Sequence, residues 1–292
     1  MKTVIYDIGA NNGDDIPYYL MKADLVVAVE ANPTLCTQMR QRFAAAIQAN
    51  HLVIENCVAI DSAQAEEVDF YLHNSEHVLS QLIAPSPQDR ADFSRCRLPA
   101  RPISDLIAQY GSPHYIKIDI EGFDAPLLRA IFAGGVPPPY ISAECQNIEV
   151  FQVLLEKGGY RAFKLVEGQT VSAVYSKRQI SCLRSPQSVE YSFPYHSAGP
   201  FGNDVDGNWM TPENFMKLLA FSGLGWKDIH ATRIDAADDL EQPKAIDYLD
   251  RLVTDREVFD YTSRRLAKRM RVRGSGLCSR IGRWLGAKRP SG

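Results

Sequence analysis

Several familiar signatures are missing from this chain of 292 residues, and each absence narrows what it can be. Its six cysteines (Cys36, Cys57, Cys96, Cys145, Cys182 and Cys278) are scattered, with no C-x-x-C pair. That pattern argues against a zinc cluster and against a disulfide framework, and a reducing cytoplasm is the compartment expected. No apolar run reaches the 18 residues of a membrane span. Met1 is followed almost at once by the strand-like run Thr3 to Ile8, which leaves no room for a basic, then apolar, then cleavable leader. No internal repeat is evident, which argues against a solenoid or propeller. Acid is missing from one place only. From Arg264 onward there are ten Lys or Arg and no Asp or Glu, whereas residues 1–263 carry 22 basic against 35 acidic side chains, so a net charge of −3 hides an acidic body and a basic tail.

What is present is an alternation of strand and helix patterns, the signature of βαβ units around a mostly parallel sheet. Strands are expected at Thr3–Ile8, Leu25–Glu30, Leu52–Ile60, Val68–His73, Tyr115–Ile120 and Tyr140–Glu144, several of them near-continuous apolar runs suited to burial on both faces. Helices are expected at Asp14–Lys22 with Asp14 or Asp15 as cap, from Pro33 to about Ala49 behind Asn32, and at Ile103–Tyr110, Ala125–Ala133 and Asn147–Lys157. Residues 74–102 lose all period and read as a long loop across the carboxyl edge of the sheet. Arg161–Val166 and Val171–Tyr175 are expected to pair as an antiparallel edge. Further on, Thr211-Pro212-Glu213 opens a helix reaching Ser222, and Leu240–Leu252 is expected to form another. The domain division expected is 1–180 for the nucleotide-type fold, 181–263 for an acceptor lid with a helical cap, and 264–292 for the tail.

The chemistry begins at the first strand-to-helix turn, Tyr6-Asp7-Ile8-Gly9-Ala10-Asn11-Asn12-Gly13. Glycines at 9 and 13 let the backbone turn tightly and approach a ligand lying over the strand ends. A dinucleotide fold calls for G-x-G-x-x-G with a helix amino terminus facing pyrophosphate, and position 11 is Asn. An acid ahead of the first glycine, Asp7, suits instead a cofactor with cationic groups and no phosphate. Glu30, at the end of the second strand, is placed to accept from both hydroxyls of a bare ribose. Alone, either acid reads as an ordinary strand-end polar residue; at these offsets together they point to a ligand. A third segment, Tyr115-Ile116-Lys117-Ile118-Asp119-Ile120-Glu121-Gly122, puts Asp119 and Glu121 on one face near a strand end, since alternate residues share a face. Asp124 reads as the cap of the following helix.

These three segments, D-I-G-A-N-N-G, V-E-A-N-P and above all I-K-I-D-I-E-G, resemble the FkbM family of S-adenosylmethionine-dependent methyltransferases over roughly residues 3–175. The resemblance implies a Rossmann-like class I methyltransferase fold, S-adenosylmethionine as cofactor and O-methylation of a sugar or small metabolite. It makes Asp7, Gly9, Ala10, Asn11, Gly13, Glu30, Asn32 and Asp119 candidates for the cofactor site. Where the family often has Phe-Glu-Pro, this chain has Val29-Glu30-Ala31-Asn32-Pro33, and the acid is kept.

Glu121 and His196 are the candidates for the base that takes the acceptor proton; His has the better unperturbed pKa. Asp119, Glu121 and Glu144 at neighbouring strand ends would also suit a hard cation, but no His joins them and the simple base is preferred, with no metal expected. Aromatics and acids at 186–210 (Tyr191, Phe193, Tyr195, His196, Phe201, Asp204, Asp206, Trp209) read either as an acceptor lid or as a surface loop pinned by buried rings. In the tail, Leu277, Ile281, Trp284 and Leu285 among basic residues read either as a segment lying on an anionic membrane surface, making the protein peripheral, or as a solvated end. The acidic body argues against nucleic acid. Two other readings stay open: a nicotinamide-dependent oxidoreductase, and a non-catalytic, membrane-associated protein that keeps the fold.

Overall fold

The computed structural model describes residues 2–62, 65–135 and 137–233. The helix expected at Leu240–Leu252 and the basic tail lie outside these residues.

A doubly wound sheet organises the chain. In order, its elements are β1 (Val4–Ile8), α1 (Ile16–Lys22), β2 (Leu25–Glu30), α2 (Pro33–Arg42), α3 (Ala44–Gln48), β3 (Leu52–Asn56), β4 (Val58–Ile60), β5 (Glu67–His73), β6 (Phe93–Pro102), α4 (Ile103–Tyr110), β7 (Tyr115–Ile118), α5 (Asp124–Ala133), β8 (Tyr140–Glu144), α6 (Ile148–Glu156), β9 (Ala162–Glu167), α7 (Val171–Val174), β10 (Arg178–Ser181), β11 (Ser188–Tyr191), α8 (Pro212–Ser222) and β12 (Lys227–Thr232). The large sheet runs β3-β2-β1-β7-β8-β12-β9, and only β12 is antiparallel to its neighbours. The strand order reverses between β1 and β7, and in such sheets the ligand crevice lies outside the carboxyl ends at that point. β1, β2 and β7 are buried along their whole length, as their near-continuous apolar runs lead one to expect.

Most expected elements form, and the departures have physical causes. The strand expected at Leu52–Ile60 is two strands: β3 stays in the large sheet, and β4 leaves it to pair with β6 in a small sheet ordered β4-β6-β5. β6 itself lies inside the stretch expected to be loop; alternating Arg95, Arg97 and Arg101 with Cys96, Leu98 and Ala100 gives it one exposed and one apolar side, and it pairs antiparallel with β5. Val171–Val174 is helical rather than an edge strand, and β9 pairs instead with β12. That strand, Lys-Asp-Ile-His-Ala-Thr, carries too much polarity to read as a core strand, yet all six residues are buried. Within the segment after residue 180, Lys227–Thr232 supplies a strand between β8 and β9 of the main sheet. Asp15 stands at the N-cap of α1 without capping it, and is engaged elsewhere.

One face of the sheet carries an unusual band. Asp7, Lys117, Ser142, His230 and Lys164 stand side by side in register on five adjacent strands, and all are buried. The segment 193–209 covers this face. Ser197 Oγ and the Ala198 N–H donate to the Asp15 carboxylate, Tyr18 donates to Asp204 at 2.8 Å, and Lys164 Nζ donates to the Val205 carbonyl at 2.7 Å over the Trp209 ring. Phe193, Phe201 and Trp209 are buried beneath it. These rings fasten the segment down over the sheet. No helix among the described residues is long and apolar enough to cross a membrane.

Candidate active site

The glycine turn is shaped by close approach. Gly9 and Ala10 both donate to the Val29 carbonyl, at 2.9 and 3.1 Å, which clamps the turn to the end of β2. Gly9 has φ +80°, and a Cβ there would stand 1.9 Å from the Asp119 carbonyl oxygen, so only glycine lets β1 and β7 end so close together. Gly13, at φ +78°, is packed by Ile16, Phe43 and Met39. Asn11 takes φ +50°, a left-handed conformation that asparagine tolerates.

This geometry turns the Asn11 N–H onto Glu30. The carboxylate accepts from Asn11 N at Oε2 and from Asn32 N at Oε1, both at 2.8 Å. Asn32 in turn caps α2, its Oδ1 accepting from Thr34 N. Burial raises the Glu30 carboxyl, and the two backbone donors oppose that rise. Each carboxylate oxygen accepts two hydrogen bonds, so Glu30 keeps capacity for a ligand at the cavity wall.

Over the strand ends lies a cavity of about 460 Å³. Six of the expected residues line it: Gly9, Asn11, Glu30, Asp119, Glu121 and His196. Four do not. Asp7 is buried behind the turn, ion-paired with Lys117 at 3.6 Å; Ala10 and Gly13 support the backbone; Asn32 acts through its N–H and its cap. Asp7 thus stands behind the turn and does not line the cavity.

The cavity has an apolar and an acidic region. Leu35, Val58, Ala59 and Phe70 line it beside Glu30, so β4 and β5 of the small sheet contribute wall. Asp119, Glu121 and Glu144 bring one carboxylate oxygen each to within 4.8 Å of one another. Gln146 Nε2 donates to both Glu121 and Glu144, at 2.7 and 2.6 Å. Glu121 has φ +46°, held between the end of β7 and Gly122. Burial, then the neighbouring Asp119 charge, pushes its carboxyl up to about 7, and the same causes drive Glu144 higher still. Lys117 answers this excess of acid. Its Nζ donates to the Gly9 carbonyl at 3.1 Å and stands 3.4 Å from Asp119; burial pulls its pKa down, but the surrounding carboxylates outweigh burial and hold it charged.

Several lining residues were silent in the sequence. Trp226 stacks on His196 at 5.9 Å and is seated against Gly168, where a Cβ would meet the indole. His77, Val78, Leu79, Ser80 and Leu82 cross the cavity between β5 and β6, and Ile83 reaches Gly122. Glu144 and Gln146 carried a weak signal, an acid at a strand end ahead of a helix cap; Lys117, a charge inside an apolar run, was the strongest clue left unread.

The site tests the cofactor implied by the three motifs. An acid-rich crevice with one buried lysine suits a sulfonium and an ammonium, and a carboxylate at the end of β2 suits bare ribose. A pyrophosphate would meet a net excess of negative charge there. The residues fit S-adenosylmethionine and not a dinucleotide.

No curated protein matches the chain. Among solved structures, an FkbM methyltransferase from Methylobacillus flagellatus KT gives a TM-score of 0.37 at 17% identity, covering 57% of this chain and 40% of that one, so this chain spans well under two-thirds of its length. An rRNA methylase from Streptococcus thermophilus gives 0.32 at 12% identity, covering 57% and 77%. An amino pentose methyltransferase from Micromonospora echinaspora involved in calicheamicin biosynthesis, solved with its cofactor bound, gives 0.27 at 9% identity, covering 49% and 42%. The sequence profile of the methyltransferase FkbM domain matches residues 7–161, more than half of the chain and all three motifs. With the glycine turn, Glu30 and the acid cluster gathered on one cavity, the chain belongs to the FkbM methyltransferase family.

Proposed function

We propose that the reaction is methylation of a hydroxyl oxygen on a sugar or other small polar metabolite. The observation that carries this reading is the position of Glu121. Its carboxyl lines the cavity next to Asp119, at the switch point of the sheet, with His196 on the same cavity. The bound cofactor supplies a methyl on a positive sulfur: a C–O bond forms, the C–S bond breaks, and the hydroxyl proton passes to the chain. Glu121 is placed to accept that proton, held by Gln146 and by its own constrained backbone. Glu30 and the Asn11 turn hold the cofactor; Asp119 contributes negative charge beside it, fixed by Lys117. The segment His77–Leu82 and the stacked His196 and Trp226 wall the cavity and offer aromatic faces to a sugar ring.

Much of the rate in such a displacement comes from alignment, so the base is expected to contribute a limited factor. The test uses calorimetry with S-adenosylhomocysteine, then single-turnover methylation over an acceptor panel of sugars and small alcohols. Glu30→Ala is expected to weaken S-adenosylhomocysteine binding by roughly tenfold or more, through loss of charge-assisted hydrogen bonds. Glu121→Gln is expected to keep that affinity and to slow transfer by roughly a hundredfold. Transfer to nitrogen or carbon acceptors but never to oxygen defeats the reading. A rate for both Glu121→Gln and His196→Ala within about threefold of wild type removes the base and leaves positioning.

A further inference from the structure

The acid cluster has more negative charge than proton transfer requires. Asp119, Glu121 and Glu144 converge from three loci, the end of β7, the loop after it and the end of β8, on a space whose ligand atoms lie within 4.8 Å of one another. A second observation comes from the neighbouring strand. Asp228 pairs directly with Glu144 in the antiparallel register of β12 and β8, so the two side chains stand on the same face of the sheet about 5 Å apart at Cβ. Asp228 is 4% exposed, and its Oδ1 has no hydrogen-bond partner. A buried carboxylate oxygen without a donor is costly unless something positive comes to it. Lys117 is the one cation in contact, and among the described residues it ion-pairs with Asp7 and Asp119 only, while Glu121, Glu144 and Asp228 have no ion pair.

Resting on the reading of this cavity as the site of methyl transfer, we infer that Asp119, Glu121 and Glu144 hold a hard divalent cation, with Asp228 as the fourth carboxylate behind Glu144. All the donors are oxygens, as magnesium, manganese and calcium prefer, and no thiol or imidazole joins them. Gln146 orients two of the three ligands through one amide nitrogen, the kind of outer contact that fixes ligand geometry. A cation here would bind the acceptor hydroxyl and lower its pKa, and Glu121 can ligate through one oxygen while the other takes the proton.

The experiment titrates the chelator-treated, full-length protein with Mn²⁺ alone, following the loss of the free-ion EPR signal, and runs S-adenosylhomocysteine calorimetry on the same preparation. One Mn²⁺ per chain is expected, with a Kd of roughly tens to hundreds of micromolar and displacement by Mg²⁺. Glu144→Gln and Asp228→Asn are each expected to weaken it about tenfold or more. Glu121→Gln, at a less buried position, serves as the variant that keeps the fold, checked by an unchanged thermal melt. Wild-type protein that binds no Mn²⁺ at millimolar concentration overturns the inference, as does Mn²⁺ affinity equal in all three variants. Cofactor affinity is read separately. Retained S-adenosylhomocysteine binding without Mn²⁺ removes the cation and leaves the methyltransferase, whereas Mn²⁺ binding with no S-adenosylhomocysteine affinity removes the assigned reaction instead.

Discussion

Gly9 and Gly207 share nearly the same φ, +80° for both, and differ in their surroundings. A Cβ at Gly9 would strike the Asp119 backbone at 1.9 Å, while nothing lies within 4 Å of one at Gly207. Gly207→Ala is therefore expected to cost only the left-handed strain, about 1 kcal/mol. Gly9→Ala adds a backbone clash that must part β1 from β7, and roughly 3 kcal/mol or more is expected. Urea melts of the two variants compare these directly; equal losses would show that the turn relaxes freely. At this scale the sequence was readable wherever spacing alone carried the meaning. Gly9, Gly13, Glu30, Asp119 and Glu121 stand at fixed offsets from strand ends, and all but Gly13 line the cavity. It was unreadable where meaning depends on who stands across the sheet. Lys117 and Asp228 each acquire a role from partners on other strands, and Asp7 is turned from presumed contact into buried support by Lys117.

Most helices and the central strands followed their periods, but β6, β10, β11 and β12 did not announce themselves. β6 hid because its pattern begins in a stretch dominated by Ser, Pro, Asp and Arg, and because its pairing with β5 spans a long connection. β12 hid because four of its six side chains are polar and yet buried: Lys227 is offset by Glu167 and the Ser222 carbonyl and Thr232 by the Pro139 carbonyl, whereas Asp228 Oδ1 and His230 Nε2 have no hydrogen-bond partner. A pattern of polarity reports exposure only when no such partners exist. The link from α1 to the segment 193–209 was equally hidden, since it runs through Asp15. Asp15→Ala is expected to leave the Ser197 hydroxyl and the Ala198 N–H buried without an acceptor, at about 2–3 kcal/mol. A fall in the melting temperature of several degrees checks it, and wild-type stability would show that the segment is held by its rings alone.

For the molecule as a whole, sequence order and spatial order diverge at one place. β8 and β9 are neighbours along the chain with a gap between them in space, and β12, made some sixty residues after β9, fills that gap. Until it arrives, β8 ends the parallel part of the sheet as an open edge, and β9 has no partner in that sheet among the described residues. Open edges are templates for pairing with other chains. A chain cut after Gly225 is expected to aggregate on refolding and to lose the cooperative urea transition, where the full chain shows one; light scattering during dilution from denaturant follows it. A soluble, cooperative fragment would mean that β8 and β9 can close on each other. For a ribosome, the consequence is one of timing. The I-K-I-D-I-E-G segment is complete by residue 122, but its sheet is sealed only by residues 227–232, so nascent chains carry a finished active-site motif on an unfinished scaffold for more than a third of their synthesis, and a premature stop in that interval yields something a cell must clear and not a partial enzyme.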